Sequence, residues 1–361
     1  MPNDYRKQLN ELLDLTVKEQ ASDLHLSVSH PPILRITGRL VPLLKRKILS
    51  SQDTAGLVRE LLTEEQYPRF LKERELDFSY NFEDRARFRA NVFFQKNEAS
   101  CALRLIPTHI KTIEELNLPP ILHKFTKPTQ GFVLITGPSS HGKSTTLAAL
   151  VDEINHTRAD HIITIEDPIE YVFKADKAII DQREVHQDTL SFARALRSTF
   201  RQDPDVIMVG EMRDPETMAI AITAAETGHL VFATLHTNSA AQTIHRIVDT
   251  FPPGQQQQIR AQLSGSLLGV VSQRLIPRIK GGLISACEVM ISTPAVANLI
   301  RENKIHELLL VIETSAEIGM ISLNRSLANL IRGREISLEN ALSYSSEPSE
   351  LKTLVKKGYE I

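Results

Sequence analysis

The chain has little of what marks several common classes of protein. It contains only two cysteines, Cys101 and Cys287, which lie far apart and form no CxxC pair. The sequence therefore offers neither a disulfide framework nor a zinc knuckle. It has no tryptophan and only 5% aromatic residues, and its 42 Lys and Arg are balanced by 44 Asp and Glu. A formal net charge of −2 gives no bulk attraction to nucleic acid or to an anionic membrane.

Long apolar runs are also missing. The longest, at 131–136 and 206–210, have the length of a strand, far short of the ~20 apolar residues of a membrane span. The first 20 residues lack the apolar core of a signal peptide. We therefore expect a soluble protein in the reducing cytoplasm, with any membrane role going through partners.

The two parts of the chain differ in the period of their apolar residues. Before residue 107, a helical period at 4–20 is followed by alternating segments, of which 86–94 is the clearest. From residue 121, short apolar strands alternate with amphipathic helices, as in an open, largely parallel sheet with helices on both faces. The pattern predicts an α/β fold with a first domain at 1–107, a linker at 108–120 and a second domain at 121–361.

Within the second domain, five apolar segments are predicted to be strands. They are 132–136, 162–165, 206–209, 230–234 and 283–291. The tail after Ala341 is polar and has no clear pattern.

A phosphate-binding loop follows the first of these strands. Residues 137–144 read Gly-Pro-Ser-Ser-His-Gly-Lys-Ser and match GxxxxGK[ST], between an apolar strand and a helix as the motif requires. Backbone N–H groups and the helix N-terminus of such a loop attract phosphate. Lys143 would reach the β- and γ-phosphates of ATP, and Ser144 would bind Mg²⁺. The residues predicted to hold ATP are Gly137, Pro138, Ser139, Ser140, His141, Gly142, Lys143, Ser144 and Thr145.

Two glutamates at the ends of strands are candidates for catalysis. Hydrolysis needs a carboxylate that acts near Mg²⁺ or orients water. Glu166 follows the strand at 162–165, and Glu211 follows the strand at 206–209 after Gly210. A Walker B strand usually ends in Asp-Glu, so Gly210 stands where an Asp is expected. We interpret Glu166 and Glu211 as a working pair that compensates for the missing charge, and the division of roles between them stays open.

Two histidines bracket a predicted strand. His229 and His236 lie at either end of the apolar segment 230–235. A structural role and a role as γ-phosphate sensor fit this pattern equally well.

Arginines are concentrated in the first domain. Arg85, Arg87 and Arg89 alternate on one face of a predicted strand, and Arg104 lies on the next strand. They form either a basic solvent-exposed face or arginine fingers that reach the nucleotide of a neighbouring subunit.

Several segments together resemble the secretion ATPase superfamily, whose members power type II secretion, type IV secretion and type IV pili. The similar segments are an Asp box at 164–171, a Walker B segment with Gly in place of Asp at 203–214, a His box at 223–237 and a first-domain start at 21–26. Segment 295–302 resembles the AIRNLIRE motif of pilus retraction motors, with Ala297 in place of its first Arg. The phosphate loop also departs from the usual GPTGSGKS, because Ser140 and His141 stand where Gly and Ser are common.

The resemblance implies more than the residues alone do. It implies a PAS-like α+β first domain, a RecA-like P-loop NTPase domain and a homo-hexamer that uses ATP and Mg²⁺. Arg89 and Arg104 would act across the subunit interface, and His229 and His236 would help couple hydrolysis to movement. A cytoplasmic location at the inner face of the cytoplasmic membrane is implied, with an inner-membrane pilus platform protein and a paralogous motor ATPase as partners.

The leading hypothesis is an ATP-hydrolysing motor that retracts type IV pili in twitching motility. An accessory pilus motor or a secretion ATPase of the same superfamily is the nearest alternative. A RecA-like nucleic-acid motor is disfavoured, because strand-binding channels use basic grooves and stacking rings. A nucleotide-gated scaffold without turnover is a further alternative.

Overall fold

The computed structural model describes residues 4–36, 38–83, 85–107 and 109–357. The chain forms two compact units, Met1–His109 with Pro168–Val172, and Ile110–Asp167 with Phe173–Ile361.

The first unit combines helices with an antiparallel sheet. Its helices are α1 (Tyr5–Lys18), α2 (Ser51–Leu61) and α3 (Gln66–Glu73), and its strands are β1 (Asp23–Leu26), β2 (Ile33–Ile36), β3 (Arg39–Pro42), β4 (Glu75–Phe82), β5 (Ala86–Gln95) and β6 (Glu98–Ile106). The strand order is β3-β2-β1-β6-β5-β4. Leu12 of α1, Leu57 of α2 and Phe88 of β5 belong to one apolar core. The alternation predicted for β5 is confirmed, since Phe88 is buried while Arg87 and Arg89 are partly exposed.

The second unit has a seven-stranded sheet. Its strands are β7 (Gly131–Thr136), β8 (His161–Glu166), β9 (Ile179–Glu184), β10 (Val206–Val209), β11 (Leu230–Leu235), β12 (Leu267–Pro277) and β13 (Leu283–Ile291). The order is β13-β12-β7-β11-β10-β8-β9. Every neighbouring pair is parallel except β12 and β13, so the predicted α/β fold with a largely parallel sheet is confirmed. Strands β9 and β12 were not among the strands predicted from sequence.

The helices of the second unit follow the strands in alternation and then close the chain. They are α4 (Lys143–Thr157), α5 (Phe192–Thr199), α6 (Pro215–Glu226), α7 (Ala240–Asp249), α8 (Pro253–Ser266), α9 (Pro294–Arg301), α10 (Leu308–Thr314), α11 (Leu323–Arg332), α12 (Leu338–Tyr344) and α13 (Pro348–Lys357). All residues of β7, β10 and β11 are buried, as is usual for central strands of a parallel sheet. The carboxyl ends of these parallel strands meet at one edge, which carries the candidate site.

The tail beyond Ala341 is helical, although its sequence shows no clear pattern. Leu351 and Val355 of α13 lie one helical turn apart and join an apolar core with Ile284 and Leu327. These few apolar residues stand among Ser, Glu and Lys, so a composition-based interpretation missed the helices. The described residues contain no helix with the length and apolar character needed to span a bilayer.

His123 lies between two carboxylates in the 3-10 helix Pro120–Lys124. Its Nδ1 is 2.8 Å from Glu153 Oε2, and its Nε2 is 2.8 Å from Glu114 Oε1. The hydrogen bond to Glu153, and then the charge of Glu153 and the contact with Glu114, raise the pKa of His123 against the opposing effect of burial. The protonated ring therefore ties the segment before β7 to α4.

The contacts of His123 with the two carboxylates predict how the stability of the fold depends on pH. Because the pKa of His123 is higher in the folded chain than in the unfolded one, its contribution is complete below its unfolded pKa of about 6.5 and is lost as the pH rises through the folded pKa. We expect the stability advantage of the wild type over His123→Gln to shrink as the pH rises above about 6.5, as measured by urea unfolding. His156→Gln is the control, since His156 is exposed on the same α4 helix. An advantage that stays constant over this range would contradict the prediction.

Candidate nucleotide-binding site

The phosphate loop lies against strand β12. Gly137 has a φ of 145°, and a Cβ there would come within 2.5 Å of the backbone oxygen of Gln273. Gly142, with a φ of 82°, leaves 3.0 Å between its would-be Cβ and Gln273 Nε2. Both positions therefore need glycine, for backbone conformation and for space. The loop leads from Thr136, the last residue of β7, into Lys143, the first of α4.

Lys143 is nearly buried and its ammonium group lies over the loop. Only 8% of the residue is exposed, and its Nζ donates to the carbonyl oxygens of Gly137 and Pro138, each at 3.0 Å. The loop precedes the N-terminus of α4, where free N–H groups favour an anion. The arrangement thus concentrates positive charge where a phosphate would enter.

His236 connects Lys143 to Glu211. Its Nδ1 lies 3.4 Å from Lys143 Nζ and 3.3 Å from Ser139 Oγ, and its Nε2 lies 3.0 Å from Glu211 Oε1. An ammonium group only donates, so Nδ1 accepts and the proton sits on Nε2, which donates to Glu211. The ring thus links the phosphate loop to the glutamate after β10.

Glu211 is held as a carboxylate. Its partial burial alone would raise its pKa, but the hydrogen bond from Arg213 at 2.8 Å, the charge of Arg213 and the nearby His236 and Lys143 lower the pKa of Glu211 below its ordinary value. Its side chain is 22% exposed. Glu211 is therefore ionised at neutral pH and open enough to accept a hydrogen bond from a water molecule.

Glu166 occupies the space beside Gly210. In the paired strands β8 and β10, Ile165 is opposite Val209, so Glu166 and Gly210 follow side by side. A Cβ on Gly210 would lie 3.2 Å from Ile165 O and 3.3 Å from Glu166 Cα. Glu166 is 6% exposed, and its Oε1 accepts hydrogen bonds from Thr164 at 2.7 Å and Gln182 at 3.2 Å. The backbone of β8 therefore lies so close to residue 210 that a side chain there would have little room.

His229 does not join this cluster within one chain. It precedes β11, and its backbone oxygen accepts from the N–H of Gly131 at the start of β7. Its Nδ1 lies 3.0 Å from Ala224 O and its ring meets Phe200 edge-on. The six residues of β11 separate it from His236 by roughly 20 Å. The two histidines therefore occupy opposite edges of the sheet.

Arg89 and Arg104 belong to the sheet of the first unit. They are direct partners on β5 and β6, which gives one face of the sheet two neighbouring cations. Arg104 is 66% exposed, and its Nε donates to Asp23 Oδ1 at 3.0 Å. Both interpretations of these arginines require exposure, and Arg104 meets that requirement.

Gln273 is a structural element of the site that the sequence interpretation missed. It is 1% exposed; its Nε2 donates to His141 O at 2.6 Å and its Oε1 accepts from Thr146 Oγ1 at 2.8 Å. One side chain thus fixes the loop to the first turn of α4. The sequence offered only a weak signal, because Gln273 stands beside the polar Ser272 and Arg274 between apolar residues, although a buried amide needs partners.

Known proteins resemble this chain along most of its length. A family model for type II/IV secretion system proteins matches residues 4–308. The type IV pilus retraction ATPase PilT of Pseudomonas aeruginosa is 46% identical over 340 residues, which cover 94% of this chain and 98% of PilT. The type IV pilus ATPase PilU of the same organism is 40% identical over 98% of this chain and 92% of PilU. A crystal structure of the pilus retraction motor PilT with bound ADP is 44% identical and superposes with a TM-score of 0.89 over 95% of this chain and 98% of that one. The chain belongs to the type II/IV secretion system protein family.

Proposed function

We propose that this chain is an ATPase that powers retraction of type IV pili. The observation that carries the proposal is the chain of contacts from Lys143 through His236 to Glu211 at the phosphate loop. It occurs in a protein that matches PilT along nearly the whole length of both chains. The matching PilT structure holds ADP, which supports nucleotide binding at the corresponding loop here.

In this proposal the phosphate loop binds the phosphates of ATP, and Glu211 orients the attacking water. Backbone N–H groups of residues 137–145 and the ammonium group of Lys143 hold the phosphates. Glu211, ionised and partly open, accepts a hydrogen bond from the attacking water and orients it. His236 keeps Glu211 in position through Nε2 and contacts the lysine through Nδ1, so it is suited to sense the γ-phosphate.

Mg²⁺ fits the oxygen donors of this site. The described residues contain no group of three or more His, Cys, Asp or Glu side chains that could hold a metal, so the protein would supply few ligands, as is usual for Mg²⁺ bound with phosphates. Ser144 would provide a hydroxyl, and Glu166, in the place of the missing Asp, a carboxylate close by. When bound, Mg²⁺ neutralises charge on the phosphates.

The remaining candidates are assigned to a neighbouring subunit. In a homo-hexamer, Arg89 and Arg104 would reach the nucleotide of the next chain and stabilise transition-state charge. His229, remote from its own phosphate loop, would take part in such a contact. We further propose action at the inner face of the cytoplasmic membrane on an inner-membrane pilus platform protein, with a paralogous motor ATPase as a second partner.

Deletion of the gene tests the direction of action. A retraction motor predicts loss of twitching together with an excess of surface pili. Restoration by the wild-type gene but not by Lys143→Ala would assign the defect to the nucleotide site. Loss of surface pili on deletion would instead indicate an assembly motor and contradict the proposal.

An accessory pilus motor is the second candidate. Two observations favour it: PilU aligns with 98% of this chain, and Ala297 interrupts the motif shared by retraction motors. An accessory role predicts that twitching lost on deletion returns when a second retraction ATPase is overproduced. If this chain retracts pili by itself, twitching should not return under these conditions.

A nucleic-acid motor would differ in how its ATP hydrolysis rate responds to DNA. The net charge of −2 and the scarcity of aromatic residues argue against a strand-binding channel, which uses a basic groove and stacking rings. We expect single- and double-stranded DNA to leave the ATP hydrolysis rate unchanged, and stimulation by DNA would favour this alternative.

A further inference from the structure

His141 ties the phosphate loop to two other elements of the second unit. Its Nδ1 accepts a hydrogen bond from the backbone N–H of Leu275 on β12 at 2.9 Å. Its ring meets the ring of Tyr344 edge-on, with centroids 6.3 Å apart and planes at 64°. Tyr344 is the last residue of α12. The serine that commonly stands at this loop position has no ring and cannot make the second contact.

Helix α12 is itself fastened to β12. Asn340 Nδ2 donates to Pro277 O at 3.2 Å, and Ala341 and Tyr344 pack with Ile276 in one apolar cluster. Just before α12, Glu335 accepts from Arg278 Nε at 2.8 Å. The helix therefore has a defined position relative to the strand that carries Gln273, and it presents Tyr344 to the phosphate loop.

The ring of His141 must be neutral to accept from Leu275. Its burial, and the nearby charges of Arg274 and Lys143, lower the pKa of His141. The acceptor state at Nδ1 is thus maintained at neutral pH, with the ring proton on Nε2.

We propose that the contact between His141 and Tyr344 lets α12 hold the phosphate loop in its nucleotide-binding conformation, so that both are positioning residues for nucleotide. The inference rests on the proposed function, because the loop must bind nucleotide. The bond to Leu275 and the two bonds of Gln273 restrain one side of the loop. The ring contact adds a restraint from a helix near the C-terminus, so a change at α12 alters nucleotide affinity.

A double-mutant cycle on the full chain tests this link. ADP affinity is measured by calorimetry for the wild type, Tyr344→Ala, His141→Asn and the double variant. Asparagine keeps an acceptor near the position of Nδ1 but has no ring. We expect each single variant to bind ADP about 3- to 10-fold more weakly, the range of an edge-to-face aromatic pair. The double variant should be no weaker than the weaker single variant.

Two controls separate this coupling from general damage to the helix. Tyr344→Phe keeps the ring and should retain the affinity. Leu342→Ala removes a partly buried side chain of the same helix that has no ring to offer His141. The link would be overturned if the losses of ADP affinity in the two single variants multiplied in the double variant. An equal loss of ADP affinity in Leu342→Ala and in Tyr344→Ala would also overturn it. Failure of the wild type to bind ADP would refute the nucleotide site itself, and this inference with it.

Discussion

Replacing Glu211 by Gln is expected to slow ATP hydrolysis by about 10²- to 10⁴-fold, while ADP affinity stays at or above its wild-type value. Glutamine has nearly the size of glutamate, and its amide oxygen can still accept from His236 Nε2. Its amide is uncharged and far less basic than a carboxylate, so it cannot take a proton from the attacking water. Phosphate release measures the rate, and calorimetry with ADP shows whether the site is intact.

A matched control is available on α6. Glu216 is exposed and pairs with Arg197, away from the phosphate loop contacts, and Glu216→Gln should hydrolyse ATP at the wild-type rate. If the wild type binds ADP but has no turnover that Glu211→Gln abolishes, the motor proposal fails and a nucleotide-gated scaffold replaces it.

Introducing the usual Walker B aspartate, Gly210→Asp, is expected to damage the site rather than improve it. A Cβ at residue 210 would lie 3.2 Å from Ile165 O, 3.3 Å from Glu166 Cα and 3.8 Å from Glu166 Cγ, so an added carboxylate would crowd the backbone of β8 and the side chain of Glu166. Two carboxylates in contact also repel each other. We expect a hydrolysis rate lower by about 100-fold or more and a lower melting temperature.

Two further variants show whether the Cβ or the added carboxylate causes the damage in Gly210→Asp. Gly210→Ala adds only the Cβ, for which the neighbouring backbone atoms must shift by a few tenths of an ångström, so its hydrolysis rate and melting temperature measure the effect of the Cβ without a carboxylate. Adding Glu166→Ala to Gly210→Asp removes the competing carboxylate and should recover melting temperature. Faster hydrolysis by Gly210→Asp would show that Glu166 does not occupy the functional place of the missing aspartate.

Sequence patterns were sufficient to predict the parts of the site whose residues are neighbours along the chain. The phosphate loop connects a buried strand to a helix within a few residues, so its residues predict both the motif and its surroundings. Glu166 and Glu211 were candidates because each follows a parallel strand, and parallel strands end at the same side of the sheet. The predicted α/β fold and RecA-like ATPase domain are confirmed by the similarity to PilT.

Contacts between segments far apart in the chain could not be predicted from such patterns. Gln273 restrains His141 from a strand more than a hundred residues later in the chain, and β12 was not predicted as a strand. Tyr344 lies in a tail whose few apolar residues acquire a pattern only when packed against β12 and α11. The placement of His229 and His236 at the two ends of β11 agrees with the sequence pattern, while their roles stay predictions.

The burial of both cysteines has a practical consequence for following movement in solution. Burial raises the pKa of the Cys101 thiol to about 12 and that of Cys287 to about 11, and the chain has no third cysteine. Because the thiolate is the reactive form, neither native sulfur competes for a maleimide dye at neutral pH. A pair of cysteines placed on exposed positions, one in each unit, can therefore carry fluorophores on the otherwise native chain. Energy transfer between them would then show whether the distance between the two units changes during turnover.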